Sequence, residues 1–128
     1  MIINKSAKTQ ALAYLVGNDT TVESLILRLF SNNAIITEDT LSTDVVEVSS
    51  TNGYSSKPLQ GSSWIISDTL ATYPLQQWTF TNPLGNIYGY YVTNTTGTLL
   101  LAETFSSGPY NIQTNGDTIS VTLNLNLL

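Results

Sequence analysis

The chain has 128 residues, of which nine are acidic and four basic, for a net charge of −5, and it contains neither His nor Cys. A Ser-His-Asp or Cys-His couple, a Cys/His zinc cage, a haem ligand pair and a disulfide framework are therefore excluded, and one Arg with three scattered Lys leaves nothing to neutralise a run of phosphates. Ser, Thr and Asn together number 45, so the polar surface is mostly neutral, a composition that favours strands and turns over solvated helices.

The first apolar pattern lies in residues 7–16, where Leu12, Leu15 and Val16 recur at helical spacing behind Ser6, a capping residue type, and ahead of Gly17. A short helix is expected there, the alternative being an extended arm covered by a neighbouring subunit. Residues 22–31 change period: Leu25, Leu27 and Leu29 fall on one face of a strand and Ile26, Arg28 and Phe30 on the other. Both faces are largely apolar, which predicts an interior strand ended by Asn32-Asn33. Residues 35–43 read as a loop with Glu38 and Asp39. Residues 44–48 read as a short strand with Val46 and Val48 on one face and Val45 and Glu47 on the other. Asn52-Gly53 supplies a turn. Residues 54–61 carry Pro58 and suit an edge or irregular segment, residues 63–68 return to strand composition, and in residues 76–82 Trp78 and Phe80 alternate with Gln77, Thr79 and Thr81.

Residues 87–93 and 98–105 flank Asn94-Thr95-Thr96-Gly97, a connection short enough for a hairpin, and residues 110–114 and 117–127 flank Asn115-Gly116, which suits a type I′ turn and predicts a second hairpin. In the last segment Ile119, Val121, Leu123, Leu125 and Leu127 alternate without a fault against Thr118, Ser120, Thr122, Asn124 and Asn126. One face is thus core and the other wet or interfacial, and each buried side chain is worth about 1.5 to 3 kcal/mol. Eight or so short strands with one short helix predict an all-β fold, an antiparallel β-sandwich with jelly-roll topology as one option. The expected organisation is an N-terminal arm or short helix in residues 1–20 and a single β-sandwich domain in residues 21–128. No apolar run is long enough for a signal peptide or a membrane span, and neither nucleic acid nor a membrane is expected as a partner. The N-x-S/T matches at Asn4, Asn18 and Asn94 are expected by chance in a chain this rich in Asn and Thr.

Without histidine, the remaining enzymatic route is a carboxylate pair of the glycosidase kind. Glu38, Asp39, Asp44 and Glu47 read as a solvated face, whereas Glu103 ends an apolar run and reads as a hydrogen-bonded or subunit-interface carboxylate. No calcium loop with the required acidic spacing is present, so neither cofactor nor metal is expected. Trp64 and Trp78 lie among Ile65, Ile66 and Phe80 and are expected in the core, which leaves Tyr88 and Tyr90 as the rings best placed for an exposed, sugar- or partner-binding face. Leu127 and Leu128 are expected to finish an intersubunit strand contact.

The stretches Leu25 to Asn33 (LILRLFSNN), Gly53-Tyr54 with Lys57-Pro58-Leu59 and Ser63-Trp64, Ile87 to Tyr91 (IYGYY), Leu100 to Phe105 (LLAETF) and Asn115 to Val121 (NGDTISV) together resemble small virion structural proteins of tailed bacteriophages. The resemblance runs from about Leu12 onward and rests on strand and turn signatures. It implies a non-enzymatic protein assembled in the host cytoplasm and carried on the outer capsid surface of the virion. There it would act as a decoration or cement protein that binds the major capsid protein and ties capsomers together, as a homo-oligomer, by analogy a trimer. Residues 1–16 would be the natural arm. The alternative is a tail fibre or baseplate adhesin that binds host glycans, and a carbohydrate-active enzyme is a third option.

Overall fold

The computed structural model describes residues 1–18 and 23–127. Ten strands and one α-helix succeed one another as β1 (Ile2–Ile3), α1 (Lys5–Leu15), β2 (Leu25–Phe30), β3 (Lys57–Leu59), β4 (Ile65–Ser67), β5 (Leu70–Thr79), β6 (Gly85–Ile87), β7 (Gly89–Asn94), β8 (Leu99–Thr104), β9 (Tyr110–Ile112) and β10 (Thr118–Asn126). They pair antiparallel into a five-stranded sheet of order β1-β8-β7-β2-β3, a three-stranded sheet of order β10-β5-β4 and a β6-β9 ribbon. The main core draws Leu27, Leu29 and Val92 from the first sheet, Trp78, Ile119, Val121 and Leu123 from the second, and Ile87 and Ile112 from the ribbon. These shared contacts make the fold an all-β sandwich.

The five-stranded sheet is covered on its other face as well. Phe30, Tyr91, Leu99 and Ala102 pack there against Val45 in the long β2–β3 connection, with Ala34 and Ile36 beside it. Strand β7 is consequently buried at all six positions, and β2 is an interior strand whose two apolar faces enter two separate cores. Gly89 marks how tightly this centre is packed: a Cβ there would collide with the Glu103 carbonyl and the Phe30 ring.

Local chemistry explains the turns. Asn52 (φ 56°) and Gly53 (φ 91°) both take positive φ, as a type I′ turn requires. Asn94 Oδ1 accepts hydrogen bonds from the Thr96 and Thr98 amides and closes the β7–β8 hairpin. Pro58 lies on edge strand β3, where its missing N–H costs nothing. Pro74 sits inside the ten-residue β5, which sequence periodicity begins only at residue 76. Register shifts there so that Pro74 and Leu75 together oppose Thr122, and this bulge accommodates the proline.

Several expectations are corrected. The helix is capped by Asn4, whose side chain accepts from the Ser6 amide, rather than by Ser6, and it begins at Lys5. Residues 1–4 form no free arm, because β1 pairs with β8 and Asn4 is buried against Leu100 and Thr40. Residues 44–48 contribute a single bridge to the end of β2, Phe30 to Glu47, and do not alternate as a strand would: Val45 enters the outer cluster, Val48 the main core, and Val46 is exposed. The segment 87–93 is split at Tyr88 between the ribbon and the main sheet. The turn at Asn115-Gly116 exists, but only Gly116 takes positive φ, and it joins β9 in the ribbon to β10 in the other sheet, so no hairpin ladder follows it. Strand β10 alternates as expected over most of its length, with Ile119, Val121 and Leu123 buried, Leu125 half-buried and the intervening Thr, Ser and Asn side chains exposed, but it ends at Asn126 and leaves Leu127 exposed instead of in the core.

Candidate interaction surface

Of the residues chosen from sequence, Tyr90 and Glu103 are brought together. They face each other across the β7–β8 ladder, and the Tyr90 hydroxyl donates to Glu103 Oε2 at 2.8 Å while the Met1 ammonium donates to Oε1 at 2.7 Å. Desolvation pushes the Glu103 carboxyl up, but the bonds from the ammonium and Tyr90 outweigh it and hold the group below its ordinary value. Tyr90 itself is 4% exposed and packs against Phe105, and burial followed by the Glu103 carboxylate drives its hydroxyl far above the usual tyrosine range. The expectation of an exposed Tyr90 ring is thus overturned, because β7 has no solvent face. Tyr88 is half-buried against the outer cluster, and its backbone bonds both Phe30 and Phe105. Leu127 is exposed elsewhere, beside Leu125 and Asn126, and Leu128 lies outside the described residues.

The other carboxylates are occupied structurally. Glu47 accepts from Arg28 Nη1 at 2.9 Å and from the Tyr54 hydroxyl at 2.7 Å, and that hydroxyl in turn accepts the Leu29 amide. Burial foremost, with the Glu47 carboxylate adding to it, pushes Tyr54 well above its ordinary pKa. Glu38 and Asp39 pair with Lys5 and Lys8 and fasten the start of α1 to the β2–β3 connection. Asp117 accepts from the Gln113 and Thr114 amides, which lower its pKa. Among the described residues no three acidic side chains gather at metal-holding distance.

The surface that stands out is apolar. Helix α1 buries no residue; Leu12, Leu15 and Val16 are 63%, 80% and 74% exposed. Only Ser6, Ala7, Gln10 and Ala13 of the helix are half-buried, and between Ala7, Ala11 and the ends of β4, β5 and β10 runs an open groove of about 560 Å³, bordered by Ile66, Leu70 and Leu125. Ile65 and Ile66 on edge strand β4 extend the patch. The helical spacing of Leu12, Leu15 and Val16 predicted the helix, and its exposure had a signal of its own: on a helical projection Leu12 and Leu15 share an arc with Lys5 and Lys8, whose charges hold that arc in water. Trp78 is buried as expected, and Trp64 is half-buried with its ring edge-on to Tyr73.

No family model matches this chain, and no curated protein and no solved structure matches it.

Proposed function

We propose that this chain is a non-enzymatic structural protein of a phage particle, a decoration or cement protein seated on the outer capsid surface against the major capsid protein. The observation that carries the binding half of this reading is the apolar surface formed by α1, β4 and the end of β10, which monomeric proteins rarely leave uncovered. Carboxylates committed to amides, cations and a tyrosine favour a scaffold over a reactive centre. The capsid setting comes from the resemblance of the strand and turn segments. The glycan-binding alternative loses support with Tyr90 buried and Tyr88 only half-exposed; the most exposed rings, Tyr14 and Tyr110, belong to separate elements.

Copy number tests the proposal. Quantitative gel densitometry of purified particles, scaled to the major capsid protein, is expected to give hundreds of copies per particle. A handful of copies would place the chain on the tail, and none would remove it from the virion.

A further inference from the structure

The two sheets end in four edge strands, and three of them are blunted. Strand β1 has two residues, β4 has three, and β3 carries Lys57 and Pro58, which discourage further pairing. Strand β10 differs. It runs for nine residues, an edge of about 30 Å at the usual rise per residue, and among the described residues β5 is the only strand alongside it. Residues 118–127 contain no proline and no charged side chain. The extra residue of the bulge lies in β5, so β10 keeps its regular alternation.

Two copies of a chain with net charge −5 repel over most of their surface, but not along this edge. The nearest acid in sequence, Asp117, already accepts bonds from Gln113 and Thr114. The strand is also self-complementary. Laid antiparallel on itself about Thr122, it sets Ile119 opposite Leu125, Val121 opposite Leu123, Ser120 opposite Asn124 and Thr118 opposite Asn126, apolar against apolar and polar against polar at every position. At the end of the strand, Leu125 and the following Leu127 border the apolar groove beside α1, so the same contact extends onto that surface.

We propose that β10 is the edge on which a second copy of this chain pairs, antiparallel about Thr122, joining two three-stranded sheets into one of six. The pairing is two-fold and closes on itself, which gives a dimer in place of the trimer expected by analogy. It goes beyond the capsid reading and does not depend on it.

The chain has no cysteine, so Thr122→Cys introduces a single thiol. At the two-fold axis the facing Cβ atoms lie about 4.5 to 5.5 Å apart, close enough for a disulfide after a small adjustment. Light scattering of the full chain is expected to give twice the 13.9 kDa monomer mass, and mild oxidation should cross-link Thr122→Cys several-fold faster than Ser120→Cys, which would face Asn124 of the second copy. Thr122→Asp, on the exposed face, should raise the dimer dissociation constant about tenfold or more by setting two carboxylates together, with an unchanged circular dichroism spectrum. A wild-type monomer or trimer, or equal cross-linking of the two cysteine variants, overturns the proposal whether or not Thr122→Asp folds.

Discussion

Helix α1 and strand β10 both carry aliphatic side chains at the spacing their geometry asks for, yet only β10 buries them. Strand β10 turns Ile119, Val121 and Leu123 into a core that the five-stranded sheet fills with Leu27, Leu29 and Val92, with Trp78 and Tyr73 beside them on the neighbouring β5. Helix α1 is fastened by its first turns through Asn4, Ser6, Lys5 and Lys8, and its second half projects Leu12, Leu15 and Val16 into solvent. Periodicity therefore reports the conformation a segment adopts, while burial depends on what the rest of the chain places opposite it.

The contrast can be broken most forcefully in β10. Val121→Asp puts a charge into the main core, where Val121 is 4% exposed, and is expected to abolish soluble expression. Thr122→Asp on the next residue should leave the fold intact; equal outcomes would show that the faces are assigned wrongly. Gly89→Ala is the next largest. Its Cβ would meet the Glu103 carbonyl and the Phe30 ring, and a loss of about 2 to 3 kcal/mol is expected in urea unfolding. Tyr54→Phe removes the hydroxyl that bridges the Leu29 amide and Glu47 and should cost about 1 to 3 kcal/mol.

Glu103 sharpens the comparison through pH. Its folded-state pKa lies below the unfolded value, so its contribution is fully present above the unfolded carboxylate pKa of about 4.3 and is lost as pH falls through the folded value. Glu103→Gln should therefore lower stability at neutral pH, and its stability should converge on that of the wild type in strong acid. A constant difference across the whole pH range would show that the carboxylate acts by shape alone. The smallest effect belongs to α1: Leu15→Ser is expected to change stability by less than about 0.5 kcal/mol, and a larger loss would mean that the helix packs through that residue.

Much of the sandwich was legible before any coordinates. The interior position of β2 follows from its two apolar faces, the β7–β8 hairpin from a four-residue polar connection, and the buried face of β10 from strict alternation. Three features were hidden for physical reasons. Leu70 to Leu75 is masked as strand by Pro74, which only a bulge opposite Thr122 can accommodate. The division of 87–93 between ribbon and sheet depends on Tyr88 changing partners, which no period records. Tyr90 passes for a surface ring because both faces of β7 are covered by segments remote in sequence: Tyr90 faces the main core, and Tyr91 on the other face meets Val45 of the β2–β3 connection. The apolar patch was the least legible, since it joins α1, β4 and β10 from opposite ends of the chain.

Residue-by-residue hydrogen exchange tests the division between a two-sided core and an uncovered apolar end most directly. The amides of β7, flanked by β2 and β8 and buried on both faces, should exchange only through global unfolding, and those in the second half of α1 should exchange by far the fastest of any regular element. Protection in α1 equal to that in β7 would contradict the account.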